Sequence, residues 1–129
     1  MKAENLTKRD IEFINETARN IATILQHGGA TFLSWGASKP RAILYEGKAA
    51  LRMNVNGFIC DGSFVVAYNE GRDLFEVYTF DKAGNLQQKS EDVYFDNLIE
   101  VVDSLVETGD LSSAEYGERC NQWLNTAKF

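Results

Sequence analysis

Ser63-Phe-Val-Val-Ala-Tyr-Asn69 and Leu74-Phe-Glu-Val-Tyr-Thr-Phe80 are the two segments that decide the fold, and four residues join them, three charged and one glycine. Both segments are rich in β-branched and aromatic residues, and a short polar connection between such segments is typical of a β-hairpin. Apolar residues alternate onto both sides of each segment. We therefore expect this hairpin to lie in the interior of a sheet, with apolar contacts on both faces.

An amphipathic helix is predicted before the sheet. Apolar residues recur at three- and four-residue spacing from Ile11 to Leu25, which places them on one face of a helix. Thr7 followed by Asp10 is typical of a helix start, and Gly28-Gly29 is typical of a helix end. His27 is the only histidine of the chain. We interpret it as a cap at the negative end of this helix rather than as a catalytic group.

Short strands are predicted on either side of the hairpin. The first three cover residues 32–35, 41–45 and 48–55, and the last of these alternates clearly between polar and apolar positions. Asp61-Gly62 is interpreted as a type I′ turn into the hairpin, because that turn requires positive φ at both central residues. Residues 81–85 form a second predicted turn, followed by a short polar edge strand at 86–89.

Two helices are predicted at the C-terminal end. Ser90 would cap the first, and its apolar positions run from Phe95 to Val106. A capping box of Ser112 and Glu115 would start the second. The chain is therefore predicted to be a single α+β domain over residues 1–129. It has an N-terminal helix, an antiparallel sheet of four to six strands, and two C-terminal helices packed on one sheet face.

The composition narrows the functional classes. No leader segment or apolar run long enough to cross a bilayer is recognisable, so we expect a cytoplasmic protein without membrane contact. Cys60 and Cys120 have no cysteine or histidine at metal-ligand spacing and are interpreted as reduced thiols. Phosphate-binding glycine motifs are missing from the sequence, and no cofactor or metal is predicted.

Acidic residues are concentrated near the C-terminal end. Residues 90–118 hold nine acids and no Lys or Arg, which leaves +3 for the rest of a chain whose net charge is −6. Four of these acids fall on one face of the predicted helix: Asp96, Glu100, Asp103 and Glu107. An acidic helix face ordinarily faces solvent and has no binding role. Like charges four residues apart nevertheless reduce the stability of a helix. Such a face could instead bind a basic protein surface, or imitate a phosphate backbone and inhibit a nucleic-acid-binding protein.

Basic residues are concentrated on two predicted strands. They are Lys39, Arg41, Lys48 and Arg52, and the aromatic residues near them in sequence include Trp35 and Tyr45. Basic side chains interleaved with aromatic rings can bind single-stranded nucleic acid. Strands that face solvent also carry Lys and Arg in many proteins, and the net negative charge argues against nucleic acid as a partner.

A series of short motifs along residues 11–111 resembles a known group of proteins. The motifs are Gly28-Gly29 with Phe32, Gly36-Ala37, Asn69 with Asp73-Leu74-Phe75-Glu76-Val77, Val93-Tyr94 with Asp96 and Leu98, and Glu107-Thr108-Gly109. They resemble small proteins carried by phages and other mobile elements of gut bacteria. Members of that group have no assigned activity, so the resemblance transfers no catalytic residue. It implies an accessory gene product that binds a partner rather than an enzyme.

We therefore expect a non-enzymatic accessory protein that acts by protein–protein contact, with a homodimer as one form of that contact. The acidic helix face and an exposed strand edge are the predicted contact surfaces. Two alternatives stay open: binding of single-stranded nucleic acid by the basic strands, and inhibition of a nucleic-acid-binding protein by the acidic face. An enzyme whose site the sequence does not reveal is a further alternative, which the single histidine makes less favoured.

Overall fold

A computed structural model describes residues 3–107 of the chain. A 3₁₀ turn at Ala3–Asn5 precedes three α-helices, and the bounds are α1 Lys8–Gln26, α2 Ala30–Ser34 and α3 Leu98–Val106. The strands are β1 Ser38–Tyr45, β2 Lys48–Asn56, β3 Asp61–Asn69, β4 Leu74–Asp81 and β5 Leu86–Val93. Within residues 3–107 the strands form one antiparallel sheet in the order β1-β2-β3-β4-β5.

The α+β class is confirmed, and the five strands agree with the predicted number. The first predicted C-terminal helix corresponds to α3. The second, with Cys120, lies outside the described residues. None of the helices in residues 3–107 is long and apolar enough to cross a membrane.

The central hairpin is confirmed as β3 and β4, both interior strands of the sheet. Val66 lies opposite Val77 on one face, and Val65 lies opposite Tyr78 on the other. All four side chains are buried. Because successive residues of a strand point to opposite faces, this register divides the whole sheet into two surfaces of different composition.

One surface, the helix-covered face, packs against α1 and α3. Its buried residues are Leu51, Met53, Val55, Phe64, Val66, Val77 and Val93. Helix α1 contributes Ala18, Ile21 and Leu25 to this core. Thr7 and Asp10 exchange backbone-to-side-chain hydrogen bonds of 3.1 Å, which confirms the predicted helix start. His27 is the C-cap residue, and its Nδ1 lies 2.8 Å from the carbonyl oxygen of Thr23.

The predicted strand at residues 32–35 is wrong, since residues 30–34 form helix α2. Phe32 and Trp35 lie three residues apart, and their rings pack edge to face with centroids 5.5 Å apart. The Trp35 side chain is completely buried in the core under the helices. A short segment in which three of four residues are apolar is compatible with a helix or a strand, and tertiary packing of Trp35 decides between them here.

The predicted turn at Asp61-Gly62 is also wrong, because both residues lie in β3. A Cβ atom on Gly62 would lie 2.1 Å from the carbonyl oxygen of Phe80, so this glycine permits close approach of β4. The turn with positive φ at both central residues is Glu46-Gly47, between β1 and β2.

The chain passes from β2 to β3 through residues 57–60, where a Cβ on Gly57 would lie 2.3 Å from the carbonyl oxygen of Val106.

Ser90 does not cap a helix. It lies within β5, which extends to Val93, and α3 begins only at Leu98, after Asn97. Val93 lies opposite Phe75 and is buried on the helix-covered face. Strand β5 is predicted to end at residue 89 but continues to Val93. Its pairing with β4 shifts register between Phe75 and Val77, so that Val93 lies opposite Phe75. Burial of Val93 therefore extends the strand through a sequence that favours a helix start.

Candidate functional site

The second surface of the sheet, the open face, is not packed against any helix in residues 3–107. Its centre is a small cluster of buried residues, Ala50, Val65, Ala67 and Tyr78, bordered by partly buried Ile43, Tyr45 and Phe80. Charged side chains on this face come from β1, β2, β4 and β5, and the last of these contributes Lys89, the register partner of Tyr78. The open face thus has a floor of small residues between larger aromatic and charged ones.

Two arginines lie side by side on the open face. Arg41 of β1 is the register partner of Arg52 of β2, and both are exposed. Among the ion pairs within residues 3–107, neither guanidinium takes part. Like charges directly opposite one another destabilise an antiparallel pair. The pair therefore carries a small cost in stability and leaves two positive charges available to an anion.

Lys39 joins this pair through a local irregularity in β1. The ladder with β2 shifts register between Ser38 and Arg41, and Lys39 has φ of 53° immediately before Pro40. A left-handed backbone is uncommon for lysine, and such residues and bulges concentrate at functional sites. Lys39, Arg41, Arg52 and Asn54 together line a depression of about 220 Å³. The structure therefore brings three of the four predicted basic residues together.

An apolar pocket adjoins the arginines. It has a volume of about 240 Å³ and is lined by Ile43, Tyr45, Arg52, Val65, Phe80 and Gly84. The Tyr45 ring lies 4.7 Å from the Tyr78 ring and 6.1 Å from the Phe80 ring, between centroids. Arg52 also lines a third depression of about 280 Å³ that it shares with Asp61, Asp81 and Lys82, and Lys82 Nζ pairs with Asp61 Oδ2 at 3.0 Å. Three depressions therefore meet at Arg52.

A buried carboxylate holds the aromatic cluster in place. Glu76 accepts hydrogen bonds from Lys48 Nζ at 2.8 Å, Tyr78 Oη at 2.9 Å and Asn69 Nδ2 at 3.3 Å. Desolvation raises the pKa of Glu76, but the hydrogen bonds outweigh it and the net pKa is lowered. Burial and the hydrogen bond to Glu76 raise the pKa of Tyr78. The hydrogen bond to Glu76 likewise raises the pKa of Lys48.

Two residues predicted for the basic surface have other positions or partners. Trp35 lies in the core on the helix-covered side, where its Nε1 donates to Asp103 Oδ1 at 2.9 Å. The prediction that Trp35 belongs to the basic surface is wrong. Lys48 lies on the open face but forms an ion pair of 2.8 Å with Glu76. Its charge is therefore compensated within the fold.

The four acids of the predicted helix face do not form one exposed strip. Asp96 and Glu100 are exposed, and Asp96 lies in the turn before α3. Asp103 is partly buried and accepts from Trp35, while Glu107 is buried and its Oε2 accepts from the backbone N–H of Phe58 at 3.0 Å. Two of the four carboxylates therefore satisfy donors inside the fold. Residues 3–107 contain no group of three or more acidic, cysteine or histidine side chains that could hold a metal ion.

The aromatic residues of the open face are only partly recognisable from the sequence. Tyr45 shares the alternation of Arg41 in β1 and stands near the basic residues in the chain. Phe80 belongs to β4, which is separated from β1 by two strands in the sheet. Its ring nevertheless lines the same pocket as Tyr45, across the floor formed by β2 and β3. Strand order and register, rather than local sequence, identify Phe80 as a site residue.

No protein-family model, curated protein or solved structure matches the chain.

Proposed function

We propose that the chain binds single-stranded nucleic acid on the open face of its sheet. The observation that carries this proposal is the cross-strand pair of Arg41 and Arg52 beside a pocket lined by Tyr45 and Phe80. Phosphate groups would contact the two guanidinium groups and Lys39, and a base would contact the aromatic rings. A basic groove with aromatic side chains is the usual arrangement for such binding.

The net charge of −6 is compatible with this proposal because the charges are segregated. Helix α3, with exposed Glu100, packs on the other side of the sheet from Arg41 and Arg52. At physiological salt, exposed charges more than about 8 Å apart are largely screened from one another. Local positive potential at the open face can therefore attract phosphate in a protein that is acidic overall.

The geometry gives less support to the acidic helix face as the contact surface. Asp103 and Glu107 are occupied within the fold, which leaves Asp96 and Glu100 as its exposed members. Protein–protein contact through this reduced surface stays a prediction, as do imitation of a phosphate backbone, the mobile-element context and the non-enzymatic character. Nucleic-acid binding is preferred because the open face assembles its groups from separate strands.

The proposal can be tested by fluorescence anisotropy with labelled single-stranded DNA and RNA at graded salt. Contacts from Lys39, Arg41 and Arg52 to three phosphates predict that the logarithm of the affinity falls with the logarithm of salt with a slope of about −2. The variant R41E/R52E should lose at least about tenfold in affinity at low salt, because two attractive contacts become repulsive.

The matched control is R9E/R19E on helix α1, which changes the net charge equally at two exposed arginines away from the open face. This control should bind nearly as well as the parent chain. Equal loss in both double variants would show that only overall charge matters, and the proposal would fail. Absence of binding by the parent chain at low salt would also overturn it.

A further inference from the structure

We infer that the pocket of Ile43, Tyr45, Val65 and Phe80 accepts one unpaired base, whatever its identity, while Arg52 holds the adjacent phosphate. This inference rests on the proposed function and adds to it the part of the ligand that each group contacts. Arg52 lines both the apolar pocket and the basic depression, so a nucleotide can present its base and its phosphate to neighbouring sites.

The lining of the pocket favours stacking over readout of the base. Only two of its six residues, Tyr45 and Arg52, carry polar side-chain groups. Discrimination among bases requires several donors and acceptors matched to the base edges. Stacking on an aromatic ring tolerates any base, because every base has a π-face. The pocket is therefore expected to recognise the presence of a base rather than its type.

The pocket is held in shape before a ligand arrives. Tyr78 supports the Tyr45 ring from the floor of the open face, and its hydroxyl group is bound by Glu76. Glu76 is in turn bound by Lys48. Rings that are already ordered lose little conformational entropy when a base stacks on them, which favours binding.

A base in a duplex cannot reach this pocket without leaving its stack. Extrusion of a base costs a few kcal/mol, and the cost is smallest for a base that is already unpaired. The pocket therefore selects single strands over duplexes of the same length, even though the duplex carries about twice the phosphate charge. Since the basic depression extends beyond the pocket to Lys39, a short oligonucleotide should bind more tightly than a mononucleotide.

The test compares three fluorescein-labelled ligands of equal length, about sixteen nucleotides per strand, so that the duplex stays paired. They are oligothymidine, an oligomer of tetrahydrofuran abasic analogues, and a duplex of oligothymidine with oligoadenosine. The parent chain should bind oligothymidine about tenfold more tightly than either other ligand, in line with the energy of one stacked base. Oligoadenosine and oligocytidine should bind within about threefold of oligothymidine if stacking dominates.

The matched variants are F80L in the pocket and F95L at an exposed phenylalanine outside it. F80L should weaken oligothymidine about fivefold and leave the abasic oligomer unchanged, because only the stacked ring is removed. F95L should change neither. Circular dichroism of both variants checks that they fold, and the ligand comparison with the parent chain does not depend on any variant.

Equal affinity of the parent chain for oligothymidine and the abasic oligomer would overturn the base pocket. The proposed phosphate contacts would survive that result if R41E/R52E still weakened both ligands. A preference of more than about tenfold for one base would overturn the inferred tolerance, since it requires directional contacts. Failure of the parent chain to bind any of the ligands would remove the proposed function together with this inference.

Discussion

The two faces of the sheet have the same alternating pattern but differ in the size of the residues at their centres. On the helix-covered face, Phe64 and Val66 fill the space between the strands and the two helices. On the open face, Ala50 and Ala67 form a floor of small residues beside the aromatic side chains of Tyr45, Tyr78 and Phe80. Helices α1 and α3 therefore complete a close-packed core on one side, whereas on the other side the small residues leave room for a pocket lined by Tyr45 and Phe80.

The two faces also differ in how their charged side chains are partnered. Below α3, Asp103 accepts a hydrogen bond from the indole N–H of Trp35. On the open face, Glu76 holds a cluster of three donors, and Arg41 and Arg52 remain without an ion pair in the described chain. The helix-covered face is thus built for stability, whereas the open face retains charges that stability alone does not explain.

The largest effect is expected from F64A, which would sharpen the contrast in packing. Phe64 is completely buried under the helices, and its loss should lower the free energy of unfolding by about 3–5 kcal/mol. V65A at the adjacent position should cost only about 1–2 kcal/mol, because less apolar volume is removed. Urea denaturation measures both values. Equal losses would break the distinction between the two faces.

An intermediate effect is expected from E76Q on the open face. This change leaves the Lys48 ammonium group without its anion and should cost about 1–3 kcal/mol near neutral pH. Because folding lowers the pKa of Glu76, its ionised form stabilises the fold above the unfolded pKa of about 4.3. That contribution is lost as pH falls through the folded pKa, so the difference between parent and variant should shrink in acid.

Urea denaturation across this pH range provides the measurement for E76Q. The control is E91Q, which removes an exposed carboxylate that pairs with Lys89 at 3.6 Å. Exposed pairs contribute little, and this variant should stay within about 0.5 kcal/mol of the parent at every pH. A loss for E76Q that does not vary with pH would show that the charge of Glu76 is not what stabilises the open face.

The smallest effect is expected from R41T, and it has the opposite sign. Removal of the charge opposite Arg52 should raise the free energy of unfolding by up to about 0.5 kcal/mol, since threonine also suits a strand. The gain should diminish at high salt, where the repulsion is screened. R41K keeps the charge and should show no gain, and urea denaturation at low and high salt measures both variants. Destabilisation by R41T would indicate that Arg41 serves the fold.

The acidic helix shows why part of the site could not be predicted from local sequence. Periodicity correctly identifies the buried apolar stripe of Leu98, Val102 and Val106, but it places Glu107, which is buried, among the exposed acids. It does not reveal that Asp103 meets Trp35, 68 positions away in the chain. It also does not reveal that Glu107 meets a backbone donor in the β2–β3 connection. A helical pattern reports direction from the helix axis, whereas a hydrogen-bond partner depends on what packs beside it.

Sequence alone determined the elements whose signal is local. The capping pair Thr7 and Asp10 marked the start of α1, and period-two alternation placed Lys48, Arg52 and the hairpin residues on their correct sides. Tertiary structure alone decided that residues 32–35 are not a strand, that Gly62 accommodates a neighbouring strand, and that Phe80 shares a pocket with Tyr45. Alternation is set by the geometry of successive residues, but strand register and close approach depend on residues distant in the chain.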